Sequence, residues 1–367
     1  MKVVSKNEYS MSEKENDGLM YLLGENEDKG LFFPFLLYVP KECEKDTNVI
    51  FSCPTPRTER ELSFLESIDN TVLKNSKSIC PISRRLSARY HLPMIIPVIP
   101  RIMGLDTSYL GTDVYHNDFH EVKKYIREGV CNLREEDLDN FKDIHKQVCV
   151  MIEKALEFLS ELGYNPDSKV IIDGYSAGSK FANFFTALHP ALVKMIIGGG
   201  SAGLIIRPLK EYNGYTLNYP VGINDLPEFD LEGFKQIQQF YYIGGDDEND
   251  VAMPKCKMDP VNKDECGNRI PLLDDEGKRI YIMDSDGNYE IFYQEGYYSK
   301  YDINAINKGL SDNIQTRFDN AKEIYEELGI DAVFKRYPGN HRTLFGQELY
   351  DDVYEQYERL IGKEYKK

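Results

Sequence analysis

The chain has 367 residues, of which 41% are apolar, and this is enough for a sizeable core around one continuous sheet. Its 61 acidic residues outnumber its 44 basic residues, which gives a formal net charge of −17. Such a surface repels the phosphates of nucleic acid and of anionic membranes, so the composition disfavours nucleic acid as a partner.

The N-terminal segment and the cysteines indicate a reducing compartment. The first eighteen residues carry charges where a secretory signal requires an apolar segment. No apolar run approaches the roughly 18 residues that a membrane-spanning helix needs. The seven cysteines are odd in number and scattered, with neither a CxxC pair nor a histidine at metal-ligand spacing. We therefore expect a cytoplasmic protein without a membrane span, and we expect no metal and no cofactor.

Short apolar runs in the first hundred residues predict the first strands of a sheet. The runs at 19–23 and 31–39 flank a polar stretch, which indicates an antiparallel hairpin at the sheet edge. The runs at 48–53 and 93–100 are rich in β-branched residues and bounded by proline, as strands buried on both faces are. A helical stretch is expected between them, at 60–90.

Strands and helices then alternate along the middle of the chain. Apolar residues recur at helical spacing over 135–162, which is the longest helix predicted. A buried strand at 169–173, a helix at 180–188 and a strand at 194–197 follow. This alternation predicts the α/β class, with a mostly parallel central sheet, right-handed crossovers and helices on both faces.

The last third of the chain is predicted to complete the sheet. It contains two further strands, at 239–243 and 332–337, and two helices, at 314–328 and 347–361. Between them, the segment 254–298 holds short apolar runs separated by Asp-Gly turns. These turns predict one or two β-hairpins inserted beside the sheet.

The pattern Gly-x-Ser-x-Gly occurs twice, and the surrounding sequence distinguishes the copies. A nucleophilic serine needs a sharp turn between a strand and a helix, where glycines avoid clashes and the helix N-terminus favours a developing anion. Ser176, in the copy at 174–178, follows a predicted strand and precedes an amphipathic helix. Ser201, in the copy at 199–203, precedes no such helix, and its glycines are expected to form a loop beside the site. Ser176 is therefore the predicted nucleophile.

A serine hydroxyl becomes nucleophilic when a base removes its proton, and a carboxylate must orient that base. Only His189 and His341 follow Ser176 in the chain. His189 stands at the end of the helix after the serine, where it is expected to terminate that helix. His341 follows a strand through a short loop, from which it can reach back over the sheet, and it is the predicted base.

The acid is expected just beyond the strand that precedes the final strand and helix. Several carboxylates follow that strand, and the Gly-x-x-Asp spacing from Gly244 selects Asp247. Asp250 is the alternative. Asp246 and Glu248 fit a solvated acidic turn.

Acyl transfer also needs two N–H donors for the oxyanion of the tetrahedral intermediate. One is expected from Ala177, the residue after the nucleophile. The other is expected from a loop in which Pro54 and Pro56 have no N–H, which leaves Thr55 or Arg57. We take Thr55 as the second donor, and Arg57 could instead bind an anionic group of the substrate.

With these residues in place, the chain resembles the α/β-hydrolase superfamily over most of its length. The stretch 169–251 is similar to a group of largely uncharacterised bacterial hydrolases akin to esterases and polyhydroxybutyrate-depolymerase-like proteins. In that group the acid lies in a Gly-x-x-Asp-x-Asn-Asp pattern, which implies Asp247 here, and the final histidine corresponds to His341. The chain departs from the group in its inserted hairpins and in its proline-bracketed oxyanion loop.

We expect one domain over 1–367 with two additions. The segment 201–236 lies where this fold often inserts a lid, and its aromatic residues could line a pocket over the nucleophile or form the core of the lid. The hairpins at 254–298 could shape the entrance to the site or pair with a second subunit, giving a homo-oligomer.

The predicted function is that of an esterase, which forms an acyl-enzyme on Ser176 with a small-molecule ester or acyl substrate. Arg57, Tyr175 and Ser201 are expected to contact that substrate. An amidase or peptidase, a thioesterase and an acyltransferase would use the same triad. A non-catalytic binding protein that retains the fold is a further alternative, and the intact Ser, Asp and His in the expected order argue against it.

Overall fold

The computed structural model describes residues 3–6, 18–24, 30–53, 58–59, 79–99, 101–102, 123, 126–129, 132–226, 228–250, 252, 254–263, 269–277, 279–287, 289–290 and 300–363. None of the helices in these ranges is both long and apolar enough to cross a bilayer.

The described residues form strands and helices in alternation along much of the chain. The strands are β1 (Val3–Lys6), β2 (Gly18–Leu23), β3 (Phe35–Pro40), β4 (Asp46–Cys53), β5 (Thr58–Glu59), β6 (Met94–Pro97), β7 (Arg101–Ile102), β8 (Asn165–Tyr175), β9 (Val193–Gly199), β10 (Glu211–Tyr212), β11 (Tyr215–Thr216), β12 (Gln238–Gly244), β13 (Met258–Lys263), β14 (Arg269–Pro271) and β15 (Ala332–Tyr337). The helices are α1 (Pro81–Tyr90), α2 (Ile144–Glu161), α3 (Ala177–Leu188), α4 (Leu231–Lys235), α5 (Lys300–Asn304), α6 (Ile314–Glu327) and α7 (Gln347–Leu360).

A nine-stranded sheet forms the centre of the described structure, in the order β1-β2-β3-β6-β4-β8-β9-β12-β15. The strands from β6 to β15 in this order are parallel, and β1, β2 and β3 add antiparallel pairs on one side. The prediction of a mostly parallel sheet is therefore confirmed.

The hairpin predicted at the sheet edge is present as β2 and β3, but it is not the edge. β1 pairs with the outer side of β2 and adds one more strand. The expectation of an edge hairpin is therefore wrong, because a strand of four residues is too short to show a periodic apolar pattern in the sequence.

Helices cover both faces of the sheet, as predicted. The Phe51 ring of β4 stacks at 6.4 Å on Phe185 of α3. Phe51 is in register with Ile172 of β8, so both side chains point to the α3 face. The next residue of β8, Asp173, points to the opposite face and accepts hydrogen bonds from the N–H and hydroxyl of Ser83 in α1, at 2.8 and 2.6 Å. Helix α7 packs on α1 on this second face.

The helix predicted over 135–162 is interrupted in the structure. A 3₁₀ segment covers Glu135–Phe141, and α2 begins only at Ile144. Between them Asp143 has a φ of 50°, in the left-handed region, which ends one helical segment before the next begins. The prediction of one continuous helix is wrong here, because the apolar spacing continues across a break that only the backbone angle reveals.

Two similar turns lie in the segment predicted to hold inserted hairpins, at 274–277 and 284–287. In each, the glycine N–H donates to the carbonyl of the aspartate three residues earlier, at 3.0 and 3.1 Å. The aspartate carboxylate in turn accepts an N–H two residues later, at 2.9 Å in both turns. Leu273 and Met283, beside these turns, are 56% and 50% exposed. The homo-oligomer through these hairpins stays a prediction.

Two histidines contact each other at the far end of α3 from Ser176. His145 Nδ1 of α2 lies 2.7 Å from Nε2 of His189, which ends α3 as predicted, and their ring centroids are 5.0 Å apart. Burial lowers the pKa of each histidine to about 4. Neighbouring charges contribute to these values: His189 lowers the pKa of His145 and Asp143 raises it, and Lys146 lowers the pKa of both histidines.

This pair predicts a loss of stability in mild acid. The folded-state pKa of each histidine lies below the ordinary value of 6.5, so the unfolded chain binds more protons than the folded chain between pH 6.5 and 4. The free energy of unfolding therefore falls as pH falls through this window, by about 1.4 kcal/mol per pH unit for each extra proton bound. The variant His189→Gln is expected to show a shallower fall in urea denaturation at pH 4.5 to 7.5.

The matched control is His91→Gln, since the His91 side chain is 42% exposed and lies outside the pair. It should retain the pH dependence of the unmodified protein. If His189→Gln and the unmodified chain lose stability with equal slope, the buried pair is not the cause.

Candidate active site

Ser176 lies at a sharp turn between β8, which ends at Tyr175, and α3, which begins at Ala177. Its backbone has φ 57° and ψ −120°, a combination that non-glycine residues rarely adopt. The Ser176 N–H donates to the carbonyl of Gly199 in the neighbouring strand β9, at 2.8 Å. The strained turn is thus held by the sheet, and Ser176 occupies the strand-turn-helix position that the sequence predicted.

The two glycines of this motif are required by the close approach of backbone segments. A Cβ atom on Gly174 would overlap the carbonyl of Gly178, and a Cβ on Gly178 would overlap the carbonyl of Cys53 in β4. Any larger residue at either position would force β8, α3 or β4 apart. The spacing of the motif therefore follows from the packing of the turn.

The second copy of the motif has a different conformation. Gly200, Ala202 and Gly203 all have positive φ values, of 62°, 57° and 68°. The chain turns after Ser201 and continues without a helix, and Ser201 itself is buried. Ser201 therefore does not lie on a strand-turn-helix elbow.

His341 lies in the loop that follows β15, and it links Ser176 to Asp247. Its Nε2 is 3.0 Å from Ser176 Oγ, and its Nδ1 is 2.9 Å from Asp247 Oδ2. The Asp247 side chain is fully buried, and its other oxygen accepts the N–H of Asn249 at 2.9 Å. The structure thus brings together the predicted nucleophile, base and acid in the spacing that a hydrolytic triad requires.

Direct backbone contacts fix the acid loop against the histidine loop. The Gly245 N–H donates to the carbonyl of Tyr337 at 2.8 Å, and the Asp246 N–H donates to that of Gly339 at 3.0 Å. A Cβ on Gly244 would overlap the carbonyl of Gly339, so glycine is required for this approach. These contacts hold the carboxylate and the imidazole at hydrogen-bond distance.

Asp250, the alternative acid, has another partner. Its Oδ2 forms an ion pair with the Arg317 guanidinium of α6, and its Oδ1 accepts the N–H of Ala252 at 2.9 Å. Both side chains of the ion pair are almost completely buried, at 2% and 0% exposure. Asp250 therefore neutralises a buried arginine, and Asp247 is the carboxylate that lies at hydrogen-bond distance from His341 Nδ1 and accepts from it.

The sequence did not reveal the partner of Asp250. Arg317 lies among apolar residues on the buried face of α6, with Ile314 and Phe318 as neighbours. A charged residue on the apolar face of a predicted helix is a signal that a buried partner exists. It does not identify that partner, which lies 67 positions away in the chain.

Of the remaining predicted site residues, the structure describes Ala177, Tyr175 and Ser201. Ala177 is the first residue of α3, so its N–H has no acceptor within the helix. The Tyr175 hydroxyl donates to the backbone carbonyl of His341 at 2.5 Å. Thr55 and Arg57 lie outside the described residues. The substrate contacts predicted for Arg57, Tyr175 and Ser201 stay predictions.

The aromatic residues of the segment 201–236 differ in burial: Tyr212, Tyr215 and Phe229 are half-buried, and Tyr219 is buried. Tyr219 is 2% exposed, and its ring lies 5.8 Å from Phe184 of α3. Phe229 lies 5.5 Å from Phe234. Tyr219 thus packs against α3 and Phe229 packs within the segment, and the lid at 201–236 stays a prediction. Among the described residues, no three His, Cys, Asp or Glu side chains lie close enough together to hold a metal ion.

The sheet, with a serine at its strand-turn-helix elbow, has the α/β-hydrolase fold. Neither a protein-family model nor a curated protein sequence matches the chain.

Solved structures match at low similarity. They include a poly(3-hydroxybutyrate) depolymerase from Bordetella parapertussis, with 12% identity over 96% of this chain and 91% of that one and a TM-score of 0.42. An S-formylglutathione hydrolase from Agrobacterium tumefaciens has 13% identity over 98% and 100%, with a TM-score of 0.41.

A poly(aspartic acid) hydrolase-1 from Sphingomonas sp. KT-1 has 11% identity over 94% of this chain and 98% of that one, with a TM-score of 0.42. Two of these three proteins are named as hydrolases and the other as a depolymerase. At these identities and TM-scores, the likeness assigns no residue and no substrate to this chain.

The two aspartates of the acid loop are expected to differ in their effect on stability. Asp250→Asn leaves the Arg317 charge buried without a counter-ion, which costs about 3–5 kcal/mol in the free energy of unfolding. Asp247→Asn should cost much less, because its partner His341 can become neutral whereas an arginine cannot. Urea denaturation of both variants at pH 7 measures the difference.

The control combines Asp250→Asn with Arg317→Met, which removes the uncompensated charge and should recover most of the loss. Equal losses in the two single variants would show that the ion pair does not have the assigned role.

Proposed function

We propose that this chain is a serine hydrolase that cleaves carboxylic esters through an acyl-enzyme on Ser176. His341 acts as the general base, and Asp247 orients it. The observation that carries the proposal is the continuous chain of hydrogen bonds from Ser176 Oγ through the imidazole to Asp247, at 3.0 and 2.9 Å, at a strained strand-to-helix turn.

In the first step, Ser176 Oγ attacks the carbonyl carbon of the ester while its proton moves to His341 Nε2. Asp247 accepts the Nδ1–H bond and stabilises the imidazolium that forms. The oxyanion accepts hydrogen bonds from the N–H of Ala177, at the N-terminus of α3, and from the N–H of Thr55. The tetrahedral intermediate then collapses, and His341 returns the proton to the departing alkoxide, which leaves as an alcohol.

In the second step, a water molecule takes the place of the alcohol. His341 removes its proton, the resulting hydroxide attacks the acyl carbon, and the bond to Ser176 Oγ breaks. The proton returns to Ser176 and the carboxylic acid leaves. The products are one alcohol and one acid for each ester and water consumed, and no cofactor takes part. We further propose that Arg57 and Ser201 line the substrate site.

The strained backbone of Ser176 favours an enzyme over a binding protein with the same fold. A residue with φ 57° and ψ −120° is destabilised by about 1–3 kcal/mol, and such conformations concentrate at functional sites. A binding protein would gain nothing from this strain, nor from a histidine aligned between the serine and a buried carboxylate.

A fluorophosphonate probe tests the nucleophile, because it reacts covalently with an activated serine. The unmodified protein and Ser201→Ala should be labelled, and Ser176→Ala should not. Ser201→Ala is the matched control, since both serines lie in a Gly-x-Ser-x-Gly sequence. Labelling of Ser176→Ala at the unmodified rate would place the nucleophile elsewhere. A folded protein that reacts with no probe would support the binding-protein alternative.

Hydrolysis of a panel of acyl esters with increasing chain length, beside matched amides and thioesters, tests the reaction class. Esters are expected to give the highest kcat/KM, and Ser176→Ala should lower kcat by about 10⁶-fold. A clear preference for amides or thioesters would keep the triad and overturn the assignment as an esterase.

A further inference from the structure

Tyr175, the residue directly before the nucleophile, contacts the loop that carries His341. Its hydroxyl donates to the His341 carbonyl at 2.5 Å, and its ring centroid lies 5.0 Å from that of the imidazole. On its other side, the Phe345 ring lies 4.7 Å away in an edge-on arrangement. Burial raises the pKa of Tyr175 well above its ordinary value, and the charge of Asp247 raises it further. The hydroxyl therefore stays protonated and remains a donor.

The second Gly-x-Ser-x-Gly copy provides the space for this tyrosine. A Cβ on Gly200 would lie 2.8 Å from the Tyr175 ring, so only glycine leaves room for it. A Cβ on the preceding Gly199 would overlap the ring of Tyr242, which stacks at 6.1 Å on Tyr175. The Gly200 N–H also donates to the Tyr242 carbonyl at 3.0 Å. Gly199 and Gly200 thus leave room for the two stacked rings of Tyr242 and Tyr175 beside the His341 loop.

The N–H groups of Gly245 and Asp246 join the His341 loop to the acid loop. The Asn340 N–H and the Arg342 N–H are both bonded within the loop, to Thr343 and to Asn340. These local bonds shape the loop without fixing its distance from Ser176. The hydrogen bond from Tyr175 spans 166 positions and joins the loop to the strand that ends at the nucleophile.

We propose that Tyr175 is a positioning residue that sets the distance between His341 Nε2 and Ser176 Oγ. The inference rests on the proposed function, because it assigns to Tyr175 a role in the action of His341. It differs from the substrate contact that the sequence predicted for Tyr175. The hydroxyl acts on the backbone of the base, and the second glycine motif holds the ring in place.

The test is Tyr175→Phe, which keeps the ring and removes the hydroxyl that donates to His341. We expect kcat for p-nitrophenyl acetate to fall about three- to tenfold, the size of one neutral hydrogen bond, with KM unchanged. A rise in KM with kcat unchanged would overturn the proposal in favour of substrate binding.

The matched control is Tyr242→Phe. The Tyr242 hydroxyl is buried and has no hydrogen-bond partner in the part of the chain that the structure describes, so its removal deletes a hydroxyl but no tether. This variant should retain the kcat and KM of the unmodified enzyme. A loss as large as that of Tyr175→Phe would mean that the effect comes from packing and would overturn the proposal.

A double variant shows whether Tyr175 acts through the histidine. In a His341→Ala background, the residual rate should be the same with Tyr175 and with Phe at that position, because the group being positioned is gone. A further loss on adding Tyr175→Phe would show an action that does not require His341 and would overturn the inference.

The failure of this inference is distinguishable from failure of the proposed function. If Ser176→Ala or His341→Ala retains full activity, the triad itself is wrong. If both are inactive while Tyr175→Phe has the kcat of the unmodified enzyme, the result supports the triad and contradicts the positioning role of Tyr175.

Discussion

Three backbone segments meet around Ser176 at distances that leave no room for side chains. Gly174 lies against the backbone of Gly178, and Gly178 lies against that of Cys53 at the end of β4. The serine between them is held at φ 57° and ψ −120°, which costs about 1–3 kcal/mol. The surrounding sheet must supply this energy, and β8 does so through a fully buried apolar run between two parallel neighbours. The geometry at the serine is therefore a consequence of the packing of the sheet.

Buried polar contacts extend this constraint from the elbow to the acid loop. The Asn183 side chain of α3 accepts the N–H of Ile206 at 2.6 Å, and the adjacent Arg207 donates to the carbonyl of Arg317 at 2.6 Å. Arg317 in turn pairs with Asp250, three residues after Asp247. Buried charges contribute little net stability, since their desolvation offsets their attraction. What they do is penalise any arrangement in which the partners separate, so the helix, the segment after Ser201 and the acid loop keep one relative position.

Periodic patterns predicted the fold well because they report burial, which is a local property of each element. The strand predicted at 169–173 lies within β8, and the helix at 314–328 differs from α6 by one residue. The residues predicted as base and acid were selected from the few histidines and carboxylates that follow Ser176 in the chain. The rest depends on contacts between distant residues. No local pattern relates Asp250 to Arg317, or the Tyr175 hydroxyl to a carbonyl 166 positions away. A break such as that at Asp143 is likewise invisible to apolar spacing, because it is a property of the backbone angle.

The two copies of Gly-x-Ser-x-Gly show how one sequence pattern can satisfy two physical demands. At 174–178 the glycines permit backbone to approach backbone, and the result is a tight turn with a strained, half-buried serine. At 199–203 the first two glycines permit aromatic rings to approach the backbone, and the result is a space that the rings of Tyr242 and Tyr175 fill. The two copies lie at the ends of the adjacent parallel strands β8 and β9. The space for the two rings is therefore next to the turn that carries Ser176. Tyr175 belongs to the first motif, its ring lies against Gly200 of the second, and its hydroxyl donates to the carbonyl of His341, so this side chain connects both motifs to the histidine loop.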